Sequence, residues 1–186
     1  MKHRRKPIEE FISLSNQDEN VCFLYSAENG KSIIGKNPIA KYSGNNIQHF
    51  KEFCENHKNQ LLIGYLSYNL AYQLHDVKAK SKDDLRMPEI YFLAFDKWTQ
   101  YKKTPKEKLP IFATKSKSKN FRATLPKGEY KKSYERIKKH IVDGDIYQIN
   151  LTHRLEATTT MPARVLFLKV IEKNPVNFLA YLEGEE

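Results

Sequence analysis

The sequence predicts an α+β fold, with antiparallel sheets layered against helices. Three observations carry the prediction. Short runs rich in β-branched and aromatic residues read as strands. Other stretches place apolar residues every three or four positions, as an amphipathic helix does. The two kinds of segment do not alternate in the regular strand-helix-strand units of a parallel sheet. With 186 residues, 40% of them hydrophobic, the chain is long enough to bury roughly 70% of its unfolded surface.

Taken in order, MKHRRKPIEEF opens the chain with basic residues and no apolar stretch behind them. A secretory signal is therefore not expected, and a cytoplasmic protein is. VCFLY (21–25) and SIIG (32–35) are strand-like runs separated by SAENGK, whose Asn29-Gly30 pair is a hairpin turn signal. Pro38 and the turn-rich Ser43-Gly44-Asn45-Asn46 precede IQHFKEFCENH, where apolar residues fall at 47, 50, 53 and 54, the spacing of a helix. LLIGYLSYNLAYQL (61–74) starts as a buried strand and ends as a turn or short helix. A glycine inside such a strand, here Gly64, signals close approach of another backbone. IYFLAFDKW (90–98) reads as a further strand.

From 102 to about 120 the chain is rich in lysine, serine and proline and has no periodicity, which predicts a boundary. The expected division is a first region 1–115, a linker 116–128 and a second region 129–186. EYKKSYERIKKHIVDG puts Tyr130, Tyr134, Ile137 and Ile141 on one helical stripe, and Gly144 is the expected stop. GDIYQINLTHRL (144–155) alternates, with Tyr147, Ile149, Leu151 and Leu155 on one face and Gln148, Asn150, Thr152 and Arg154 on the other, as in a half-buried strand. Pro162 opens a helix with Ala163, Leu166, Phe167, Val170 and Ile171 on its apolar side. The strand NFLAYL (177–182) closes the chain, apolar on both faces and so expected inside a sheet.

Composition excludes several functions. No apolar run approaches the roughly 18 residues of a membrane helix. Cys22 and Cys54 form no CxxC pair and are expected reduced and packed. The six histidines are scattered without HExxH or HxH spacing, so no zinc site is predicted. The net charge of +10 raises a rival reading as a basic nucleic-acid-binding module. Much of that excess lies in the opening MKHRRK, in the 102–119 tract and on one helix face, and no aromatic RNA-binding signature accompanies it.

The order of helix, GDIYQINL, Pro-started helix and NP-x-x-F-x-A-Y-L resembles the chorismate-utilising enzymes, the family of component I of aminodeoxychorismate synthase and of anthranilate synthase. FLYSAENGKSIIGKNP (23–38) resembles that family's LLES and YSIIG blocks, GYLSYNLAYQL (64–74) its GYLSYDL block, and PEIYFLAFDKW (88–98) the strand that closes its N-terminal part. Asn150 in YQINL is similar to the para-aminobenzoate branch, where anthranilate synthases carry an aliphatic residue. Tyr25 stands where anthranilate synthases have the glutamate of LLES.

The resemblance implies an anthranilate-synthase-like fold and amination of chorismate to 4-amino-4-deoxychorismate for folate synthesis. It also implies ammonia from a glutamine amidotransferase partner, and Mg²⁺ bound in the full-length enzyme. Anthranilate synthase is the alternative. The family's catalytic blocks follow the position where this chain stops, so the chain is expected to be an N-terminal portion, truncated before its catalytic residues and inactive alone. No residue of this chain is thus expected to be catalytic or to bind metal. A tryptophan pocket carries over by resemblance to Ser26, Asn177, Phe178 and Leu179, with Asn177 in place of a family proline. Phe178 and Leu179 as plain core residues is the other reading. Gln148, Asn150 and Arg154 have the chemistry to hold a carboxylate, and equally that of a solvated or supporting strand face.

Overall fold

A computed structural model describes residues 6–14, 18–27, 31–75, 85–102 and 121–184. Asn29-Gly30, the opening basic residues 1–5 and most of the lysine-rich tract lie outside them. The chain divides into two units, one formed by 1–110 with 166–186 and the other by 111–165. Helices and antiparallel sheets are both present, so the fold is α+β.

The first unit begins with helix α1 (Pro7–Ser13), whose proline fills the first turn where no amide partner is needed. Glu9 closes that turn by accepting from the Lys6 amide at 3.2 Å. Strands β1 (Cys22–Tyr25) and β2 (Ser32–Gly35) pair antiparallel, as the strand-like runs on either side of the turn signal predict. β3 (Ala40–Gly44) follows where the sequence suggested only a turn. Asn46 then caps α2 (Ile47–Asn56), its side-chain oxygen accepting from the His49 amide at 3.0 Å. β4 (Leu61–Leu66), the short α3 (Leu70–Leu74) and β5 (Ile90–Phe95) come next. The run expected as one strand over 90–98 breaks at Asp96-Lys97, and β6 (Trp98–Tyr101) continues in a different sheet.

Two sheets result, in the orders β6-β2-β1-β9 and β3-β5-β4, where β9 is Leu179–Leu182. On one face of the first sheet, Phe23 and Tyr181 meet Phe11 of α1 and Phe167 of α5 (Ala163–Lys173), with ring centroids 4.8 to 5.9 Å apart. On the other face Cys22 packs with Ile63, Tyr91, Leu93 and Phe95 of the second sheet. α2 covers the far side of that second sheet through Phe50 on Phe92, centroids 4.7 Å apart. The middle layer is therefore buried from both sides, and its residues Val21, Phe23, Leu93 and Phe95 lose all contact with water.

Gly64 explains how closely β4 and β5 approach. A Cβ there would lie 1.9 Å from the Tyr91 carbonyl oxygen and 2.6 Å from Phe92 Cγ, so no side chain fits. The sequence signal and the geometry agree.

α5 and β9 correct two expectations. The helix buries Phe167, Leu168 and Ile171, while Leu166 and Val170 are exposed, so the covered stripe is rotated toward Leu168. β9 pairs with β1 alone among the described residues and forms a sheet edge, not an interior strand. These last residues, placed by composition with 129–165, ladder with the first hairpin.

In the second unit α4 (Lys127–Val142) forms as predicted. Gly144 ends it at φ 81°, its amide donating to Ile141 O at 3.2 Å and the Asp145 amide to His140 O at 3.0 Å. Among the described residues the apolar stripe is only partly covered, with Tyr130 and Ile137 half-buried and Tyr130 edge-on to His153 at 5.5 Å. No residue of α4 is buried, and Tyr134 and Ile141 are exposed. The strand expected over 144–155 is also corrected: only Leu155–Glu156 (β8) ladders, with Arg122–Ala123 (β7). A strand needs a neighbour for its amides and carbonyls, and β7 offers two residues. Tyr147 is 95% exposed as a consequence, and Ile149 and Leu155 are exposed with it.

Candidate functional site

The four positions of the expected tryptophan pocket meet at one end of the β1–β9 pair. Tyr25 is the register partner of Leu179, and the Ala27 amide donates to Val176 O at 3.2 Å, which brings Ser26 and 177–179 together. Ser26 is buried and its amide donates to the Ser32 hydroxyl at 3.2 Å. Leu179 is half-buried and Asn177 exposed. Phe178 is 95% exposed, so it is not the core residue that the other reading of this motif expects.

Arg154, Gln148 and Asn150 lie in the second unit. The Arg154 guanidinium pairs with Glu156 at 2.8 Å, and its backbone is held by Thr124, whose amide donates to Arg154 O at 2.9 Å. Its charge thus meets a carboxylate of its own chain. Gln148 and Asn150 are exposed.

No three His, Cys, Asp or Glu side chains gather at metal-binding distance among the described residues. The two cysteines are free thiols, Cys22 buried and Cys54 partly so. Burial, with a smaller effect of the Glu183 charge, pushes the Cys22 thiol up from 9.0 to about 12, which leaves it neutral and unreactive. No helix among the described residues is long and apolar enough to cross a membrane.

A cleft of about 700 Å³ lies between β9 and the second sheet, its described walls including Lys41, Ser43, Tyr65, Arg86, Tyr91 and Leu182. Sequence reasoning missed it because β3 was hidden. Its residues AKYSG are too polar to read as a strand, although Tyr42 between Lys41 and Ser43 gives the two-residue alternation. Tyr42 packs on Phe50 and Phe53 of α2, which puts the exposed Lys41 and Ser43 on the opposite face of the sheet.

Residues 13–186 match the chorismate binding enzyme family, and the chain belongs to it. It is 25% identical over 237 aligned positions to aminodeoxychorismate synthase component 1 of Bacillus subtilis (strain 168), an alignment that covers 95% of this chain and 50% of that protein. The chain therefore spans about half the length of the curated relative it matches.

Proposed function

We propose that the chain is part of an aminodeoxychorismate synthase component 1, which aminates chorismate to 4-amino-4-deoxychorismate in para-aminobenzoate and folate synthesis. The alignment of 95% of the chain with a relative of that name carries the reading. Tyr25 and Asn150 resemble the same branch more than anthranilate synthase, the alternative. The fold would then be the first part of an anthranilate-synthase-like architecture. "Component 1" in the relative's name supports a second component, and a glutamine amidotransferase supplying ammonia is the partner proposed.

In this reading the described residues contribute scaffold, not chemistry. Amination of chorismate requires groups preorganised around the ring and its departing hydroxyl, because only interactions stronger in the transition state accelerate the step. Nothing among the described residues gathers carboxylates in that way. Mg²⁺ would be held by residues of the whole enzyme other than these, and the 186-residue chain alone would turn over no chorismate.

Complementation tests the branch. The gene for the whole protein, expressed with its amidotransferase, is expected to restore growth of a para-aminobenzoate auxotroph on minimal medium. Rescue of a tryptophan auxotroph lacking anthranilate synthase, without rescue of the first strain, would overturn the assignment.

A further inference from the structure

β4 is the last strand of its sheet, and among the described residues it pairs with β5 alone. Its register shows which backbone groups remain. Leu66 faces Ile90, so Ser67 stands opposite Glu89, and the Ser67 amide donates to Glu89 O at 2.7 Å. Bonded and non-bonded partners alternate along an antiparallel pair. The bonds to β5 therefore come from Leu61, Ile63 and Tyr65, while Leu62, Gly64 and Leu66 turn their amides and carbonyls to the outer edge. On the far side of β5 the Ile39 amide reaches Ala94 O at 2.8 Å, as the same alternation requires of the partner of Leu62.

This edge has none of the features that keep strands apart. LLIGYL contains no charge and no proline, and its six residues pair with β5 without a bulge. Leu62 and Gly64 are half-buried, Leu66 is 55% exposed, and Tyr68 and Leu74 just beyond it are exposed as well. Outward amides and carbonyls beside exposed apolar side chains form a template for another strand.

The edge is also complementary to itself. In a second copy running antiparallel with Gly64 opposite Gly64, Leu62 falls opposite Leu66 and Leu66 opposite Leu62. These are the three outward-facing positions, so each outward amide meets a carbonyl of the other copy. Glycine sits on the two-fold axis, and leucine pairs with leucine on either side of it. Two three-stranded sheets become one continuous sheet, and both β4 edges are consumed, so the assembly closes at two copies.

We propose that the protein associates as a two-fold dimer through antiparallel pairing of β4 with β4 of a second copy, centred on Gly64. A second copy supplies an edge of equal length, uncharged and apolar, with its outward groups in matching phase. The pairing lies within the first unit and does not depend on which reaction the whole enzyme performs.

Sedimentation equilibrium of the chain is expected to show a reversible monomer–dimer equilibrium. Leu62→Lys with Leu66→Lys sets like charges opposite each other twice, and is expected to weaken the dimer by at least about tenfold. Leu62→Glu with Leu66→Lys sets opposite charges across the same two pairs, and should bind at least about tenfold more tightly than the double lysine variant. Other registers leave positions 62 and 66 unopposed and give no such recovery. Amide exchange reads the same register without substitution: the Leu62, Gly64 and Leu66 amides are expected to slow as concentration rises. A monomer at every concentration, a dimer equally tight in both doubly substituted chains, or exchange at the three amides indifferent to concentration would each overturn the proposal. So would protection of these amides in a monomeric whole protein, which would assign the edge to another strand of that protein.

Discussion

At Gly64 a hydrogen in place of a methyl group decides whether two strands can lie side by side. Gly64→Ala would drive a Cβ against the Tyr91 carbonyl oxygen, and it is expected to cost about 3 kcal/mol in urea unfolding, toward the upper end of overpacking effects. Cys22 offers a pH-dependent test of burial. Its folded thiol ionises near 12 against an ordinary 9.0, so between those values the unfolded state holds fewer protons. Stability should therefore be unaffected by this group below about pH 9 and fall by about 1.4 kcal/mol per unit above it. Cys22→Ala should remove that increment when urea unfolding is compared at about pH 8 and about pH 10.5, while Tyr65, also pushed up by burial, affects both proteins alike. Two phenylalanines set the range for aromatic residues. Phe23→Ala, in the cluster with Phe11 and Phe167, should cost about 3 to 5 kcal/mol, and Phe178→Ala no more than about 0.5 kcal/mol.

Elements were legible in the sequence where local pattern and tertiary environment agree. The β1–β2 hairpin, α2 with its Asn46 cap, β4 and β5 all have their apolar residues on the face that is covered. α1 was not legible, since PIEEFIS is one short helix behind a basic start and its hold on the sheet comes from distant groups. Glu10 accepts hydrogen bonds from Thr99, at 2.8 Å, and from Tyr101, neither of which a sequence places nearby. The alternation in 144–155 is clear, yet periodicity states only which side chains share a face and cannot supply the strand that must pair with it. α4 makes the same point, with a helical stripe and a Gly144 stop but no buried residue. Since its helix is held mainly by its own hydrogen bonds, its C-terminal cap should matter: Gly144→Ala, at φ 81°, is expected to cost about 1 kcal/mol and to increase amide exchange over His140–Asp145. The site positions show a similar limit. Ser26 and Leu179 lie near one end of the β1–β9 pair, while Phe178, just before β9, is exposed.

On the scale of the whole molecule, the first unit is a sandwich whose central sheet is covered on both faces, whereas the second carries a helix, an extended segment and a two-strand ribbon with little apolar burial. Residues 13–186 belong to the chorismate binding enzyme family, and the chain aligns with half of the Bacillus subtilis relative. The proposed reaction adds an amino group and keeps the enolpyruvyl side chain, a combination that neither rival produces. Anthranilate synthase would also eliminate pyruvate, and a nucleic-acid-binding module would leave chorismate untouched while losing affinity steeply with salt. The most direct measurement is product analysis after incubating the whole protein with chorismate, ammonia and Mg²⁺, with the 186-residue chain assayed in parallel. The account predicts 4-amino-4-deoxychorismate from the whole protein, no pyruvate release, and no turnover by the chain alone. Fluorescent anthranilate with stoichiometric pyruvate, or turnover by the isolated chain, would contradict it.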